Sequence, residues 1–119
     1  LAWVAQVDAA ERPKELERFT TLAGWEWSSN AATNLHHVVF TPSEAEVVKR
    51  FIPFSNTESI RPEDLWAWLE RTAAEIGAEF VAIPHNSMSK GQMFAETDSD
   101  GRPIDAAALD CATGVAGTT

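Results

Sequence analysis

The stretch from Pro62 to Ile76, together with the run from Gly77 to His85, constrains this chain more than any other. Pro62 suits the first position of a helix, where its missing N–H would go unused. Glu63 and Asp64 complement the positive amino-terminal end of the helix dipole. Leu65, Leu69, Ala73 and Ile76 fall on one stripe, and Trp66 and Trp68 flank it. Gly77 ends the helix. Only Ala78 and Glu79 then separate it from the apolar run Phe80-Val81-Ala82-Ile83, which stops at Pro84. A helix, a very short loop and a buried strand predict the second half of a βαβ unit, and hence an α/β fold. The residue after Pro84 is His85, an imidazole at the carboxyl end of a strand, where α/β folds keep their chemistry.

Two further strands precede the helix. Phe19 to Trp27 alternates, with Leu22, Gly24 and Glu26 on one face and Phe19, Thr21, Ala23, Trp25 and Trp27 on the other. The aromatic face suits packing against a helix. Glu26 then stands between two indoles, and an unpaired carboxylate is costly to bury. It must reach solvent, pair with a cation or bind a metal. Leu35 to Phe40 is the second strand and contains His36 and His37. Adjacent residues of a strand face opposite ways, so only one of the two imidazoles can enter a given site, and the pattern does not say which.

The remaining segments read as scaffold. Leu1 to Val7 is apolar and Asp8 to Arg18 is a charged, helix-compatible stretch containing Pro13. Ser43 is placed to cap a short helix running through Arg50. Phe51 to Ser59 reads as a loop tacked down by its two phenylalanines. The loop after His85 is rich in Asn, Ser and Gly, which suits an anion and an ordinary turn equally. Asp98-Ser99-Asp100-Gly101 is an Asp-Gly turn; position twelve of a calcium loop counted from Glu96 falls on Ala107, not Glu.

Charge excludes some functions. With 9 Lys and Arg against 18 Asp and Glu, the formal net charge is −9. Phosphate backbones are held by Lys and Arg, so nonspecific nucleic-acid binding is not expected. Docking on an anionic membrane surface is disfavoured for the same reason. No apolar run reaches the roughly 18 residues of a spanning helix. Cys111 is alone, so no internal disulfide can form. The chain starts at Leu1 and ends in small residues without apolar period, so a fragment of a longer protein is expected, and its compartment is not legible.

Glu26, one of His36 and His37, and His85 thus stand in or at the ends of three predicted strands. Imidazole and carboxylate are ligands that zinc, manganese and iron accept. The words around them carry more information than their spacing. Gly24-Trp25-Glu26-Trp27-Ser28, Asn34-Leu35-His36-His37, Pro62-Glu63-Asp64-Leu65-Trp66, Ile83-Pro84-His85-Asn86 and Gly91-Gln92-Met93-Phe94 occur in this order. The series resembles the bacterial domain of unknown function 3604 family, itself similar to a branch of the PHP (polymerase and histidinol phosphatase) metal-dependent hydrolases. The resemblance covers roughly Phe19 to Ile104.

That resemblance implies part of a distorted (β/α)7 barrel over residues 1–108, followed by an off-family small-residue tail over 109–119. It implies divalent metal ions (Zn, Mn or Fe) held by Glu26 as bridging carboxylate and by His36 and His85, with His36 favoured over His37. It implies a small anionic, phosphorylated substrate and hydrolysis of a phosphoester, with Asn86 and Ser87 as candidate orienting residues. Where the family usually has arginine after its histidine, this chain has His37. The early His-x-His word and the late Asp-x-His word of PHP sites are absent, and three histidines cannot build the full cluster. The chain alone is therefore expected to be nearly inactive. The alternative is a non-catalytic metal-binding or protein-interaction module, with its tryptophans forming either a partner surface or the core.

Overall fold

The computed structural model describes residues 2–15, 20–29, 36–84 and 100–103. In chain order its elements are α1 (Ala2–Glu15), β1 (Ala23–Ser28), β2 (His36–Thr41), α2 (Ala45–Val48), α3 (Pro62–Ile76) and β3 (Val81–Pro84). Helix α3 has the predicted bounds. Pro62 opens it, and Gly77 closes it in the left-handed conformation (φ 68°), its N–H donating to the Ala73 carbonyl at 3.0 Å. A side chain with a Cβ would be strained at that φ, which is the reason for glycine there.

The content is mixed α and β, as expected, but the strand directions correct the βαβ reading. The three strands form one sheet in the order β1-β2-β3, and both pairings are antiparallel. A helix followed by a short loop and a strand fixes only the local reversal between α3 and β3. The direction of β3 relative to β2 also depends on the route from Thr41 to Pro62. Here that route contains α2 and a long segment of turns and irregular backbone, which is more than one crossover leg.

Smaller differences have local causes. Ser43 does not cap α2: the cap position is Glu44, without a side-chain hydrogen bond, and α2 has only four residues. The Ser43 hydroxyl instead accepts the Glu79 N–H at 2.8 Å, tying the start of α2 to the turn before β3. The apolar start and the charged stretch after it form one helix, α1, through Glu15. It is anchored by Trp3 Nε1 donating to the Val48 carbonyl (3.1 Å), Gln6 Nε2 donating to the Gly24 carbonyl (2.7 Å), and a Lys49–Asp8 ion pair (2.7 Å).

The core lies between one face of the sheet and the helices. Trp3, Trp25, Phe51, Trp68 and Phe80 meet mainly edge-on, with ring centroids 5.2–6.2 Å apart. Such pairs add roughly 0.5–1.5 kcal/mol each beyond the area they bury. Trp27, Leu65, Val39 and Val48 are fully buried, and Phe51 and Phe54 tack down the segment after α2 as expected. The tryptophans are therefore core, and only Trp25 and Trp68 keep partial exposure.

His37 belongs to this core. It is 0% exposed and packs edge-on between Trp27 and Trp66, at 5.8 and 6.3 Å between ring centroids. Its two ring nitrogens and both indole N–H groups lack a hydrogen-bond partner among the described residues. Burial pushes the His37 pKa down from 6.5 to about 4, so the ring is neutral at physiological pH.

The packing makes two predictions. A Cβ at Gly24 would lie 2.8 Å from the Val39 carbonyl oxygen and 3.0 Å from Phe40 Cβ. Gly24→Ala forces β1 and β2 apart and should cost about 1–3 kcal/mol, read as a lower urea midpoint at unchanged slope. For His37, the unfolded chain binds the proton more readily than the folded one between about pH 6.5 and 4. Its contribution is intact above that window and lost as pH falls through it, on the order of 3 kcal/mol in all. Urea titrations across the window should show a steeper acid loss for wild type than for His37→Leu. Equal slopes would show that His37 is not the group responsible.

Candidate metal centre

The antiparallel register gathers the candidate residues at one end of the sheet. Ser28, the last residue of β1, pairs with His36, the first of β2, and His37 pairs with Pro84, the last of β3. The carboxyl ends of β1 and β3 thus flank the amino end of β2. His36 thus stands at the amino end of its strand, and the alternation of direction brings the three strand ends together.

Alternation then selects the face. Glu26 and Ser28 are two apart in β1 and share the face opposite Trp25 and Trp27. Across the pairing, His36 shares that face and His37 takes the core face. His36 Nδ1 lies 3.2 Å from Glu26 Oε1 and 2.7 Å from Ser28 Oγ. Ser28 Oγ in turn lies 3.4 Å from Glu26 Oε1 and donates to it. The side chains of His36 and Glu26 are 25% and 48% exposed, so the pair sits in water's reach rather than in the core. Glu26 meets its need for a partner in both of the bland ways expected of it, by solvent and by a cation-capable neighbour. Its carboxylate and the imidazole are also the oxygen and nitrogen donors that zinc, manganese and iron take, so the donor chemistry of the pair fits such an ion.

The structure therefore brings Glu26 and His36 together and places His37 away from them, inside the core. His85, Asn86 and Ser87 lie outside the described residues. Among the described residues no group of three His, Cys, Asp or Glu side chains is placed to hold a metal ion, and Glu26 with His36 forms a pair. Val38 and Ile83 pair in register beside Glu26, and Ile83 is 45% exposed, so this face has an apolar border. Ser28 is the residue that sequence reasoning missed. Its signal was available: two residues after Glu26 in a strand is the same face, one pleat nearer the end.

The positive groups that the structure pairs are engaged elsewhere. Lys14 meets Glu11, Lys49 meets Asp8 and Glu46, and Arg61 bridges Glu63 and Asp100, the last two contacts at 2.7 and 2.8 Å. The Arg61 pairs tie residues 100–103 to the start of α3 and raise the guanidinium pKa, chiefly through the Asp100 hydrogen bond. No helix among the described residues is long and apolar enough to cross a membrane.

No curated protein and no solved structure matches the chain. One family model does, over residues 1–113. That span takes in every element from α1 to β3, including the strand ends that carry Glu26 and His36, and by it the chain belongs to the family described as Protein of unknown function (DUF3604).

Proposed function

We propose that the chain supplies part of the site of a PHP-like metal-dependent hydrolase that cleaves a small phosphoester. One observation carries the reading: a carboxylate and an imidazole lie 3.2 Å apart on one sheet face, at the end where β3 also finishes. On this reading Glu26 and His36 are ligands of a Zn, Mn or Fe ion, and His85, next after Pro84 in the sequence, is a third. A divalent ion in such a site polarises a phosphoryl oxygen and lowers the pKa of a bound water. Glu26 offers two oxygens, so one can ligate while Oε1 keeps its contact with the His36 ring. Asn86 and Ser87 would orient the substrate. His37 contributes no charge to it, being neutral and buried. The PHP-type barrel belongs to the same proposal, as do the remaining ligands, which these 119 residues do not contain.

A second reading, a protein-interaction module without turnover, draws on a different observation. Leu22, Ile52, Ile60 and Ile83 are large apolar side chains 45–74% exposed, and exposed apolar surface marks contact sites when it is contiguous.

Metal analysis separates the parts of the proposal. Protein loaded with Mn²⁺ or Zn²⁺ and dialysed should retain metal, and Glu26→Gln, His36→Ala and His85→Ala should each bind it about tenfold more weakly or worse. Unchanged content in His85→Ala removes that residue from the site. Wild-type protein should then hydrolyse members of a phosphomonoester and phosphodiester panel only when the complete ligand set is present. Absence of turnover with every metal, in a protein that carries the complete ligand set, favours the module.

A further inference from the structure

The sheet face that carries Glu26 and His36 continues past them, and the strand register says with what. Glu26 pairs with Val38 and Val38 with Ile83, which makes one row across the three strands. Gly24, Phe40 and Val81 make the next row on the same face. Val38 adjoins both members of the candidate pair. It is directly across from Glu26, where Cβ atoms lie roughly 4.5–5.5 Å apart, and two residues along β2 from His36, about 7 Å. Ile83 is one strand further, about 10 Å from Glu26. Apart from Glu26, the residues of these two rows carry no side-chain nitrogen or oxygen. Water reaches them all the same. Val38, Phe40 and Val81 are half-buried and Ile83 is 45% exposed, while Ala82 beside it on the core face is 1% exposed. Of the exposed large apolar side chains among the described residues, Leu22, Ile52 and Ile60 lie outside the helices and strands, and Ile83 lies within β3.

We propose that Val38 and Ile83 select the substrate of the site: a phosphoester whose organic group is apolar and lies across the Glu26–Val38–Ile83 row. The proposal rests on the metal-dependent reading above, which accounts for the phosphoryl end. The border accounts for the preference. A sugar or polyol laid on this row gives up hydrogen bonds to water and finds no partner among its apolar side chains. An aryl or alkyl group removes apolar surface from water on both sides of the contact. Both selecting side chains are β-branched, with few rotamers to lose when a ligand covers them. Charge points the same way. The first row contains a carboxylate and neither row contains Lys or Arg, so a second anionic group on the substrate has no cation to meet there.

The test is binding to the full chain loaded with Mn²⁺, and wild type decides first. Methylphosphonate, phenylphosphonate and 2,3-dihydroxypropylphosphonate share one head group and cannot be hydrolysed as esters. Titration calorimetry should show phenylphosphonate bound about tenfold more tightly than methylphosphonate, and the dihydroxypropyl compound no more tightly than methyl. Equal affinities, preference for the dihydroxypropyl group, or binding of none of the three overturns the proposal. Val38→Thr and Ile83→Thr keep the β-branch and add a hydroxyl, and each should lower the phenyl-to-methyl ratio about threefold or more. A ratio that holds while both affinities fall together shows a structural role and also overturns the proposal; Ile83 then belongs to the protein-contact reading. His36→Ala separates this proposal from the metal reading. If it abolishes binding of phosphonates that wild type does not discriminate, the metal reading stands and the apolar selection fails. If it binds them as wild type does, with phenyl still preferred and the threonine variants still sensitive, the metal reading fails and the preference of the border stands without it.

Discussion

The pairing register of β1 with β2 is the constraint on which the rest depends. Strand side chains alternate with a period of two, so a slip of one residue would exchange the faces of the whole of β2. In the observed register His37 goes between Trp27 and Trp66, and His36 goes to the side of Glu26 and Ser28. A slip would put His36 in the core and His37 in the candidate site. Burial of Trp25 and Trp27 fixes the core face of β1, and the register then assigns the faces of β2, with His37 joining Trp27 and Trp66. Core and candidate site are thus specified by one alternation read from its two sides.

The core accepts a cost for this. His37 is buried with neither nitrogen bonded among the described residues, and Trp27 and Trp66 leave their indole N–H groups in the same state. A buried polar group without a partner typically costs about 1–3 kcal/mol. The ring is retained as a flat, neutral filler between two indoles, and the imidazole's face and edge contacts offset part of that cost. Charge is what this position cannot hold, which is why burial drives the pKa down so far.

What could be read in the sequence was whatever is local. Helix α3 was legible from Pro62 to Gly77 because propensity, stripe and both termini agree. The two faces of β1 were legible from strict alternation. Direction was not: the loop from Ile76 to Val81 says nothing about where Thr41 to Pro62 carries the chain, and so a parallel unit was expected where the sheet is antiparallel. Ser43 looked like a cap because Ser before acidic residues commonly is one, but a partner distant in sequence, the Glu79 N–H, takes the hydroxyl. His36 and His37 were indistinguishable because any strand offers one of two neighbours to each face. Ser28 escaped notice because its role exists only across the pairing, against a residue eight positions away.

Charge ties the proposed chemistry to the rest of the chain. A protein of net charge −9 repels an anionic substrate unless positive charge is placed at the site. Lys14, Lys49, Arg61 and Arg102 each stand against carboxylates, and His37 beside the candidate ligand is held neutral by burial. At the sheet end the assigned side chains are a carboxylate, a hydroxyl and an imidazole. None of these binds a phosphoryl group well through charge, and Glu26 opposes it. All three are suited to holding or orienting a cation. On the proposed reading the acidity of the site is therefore a requirement of the chemistry: the residues collect positive charge as metal, and that charge collects the substrate.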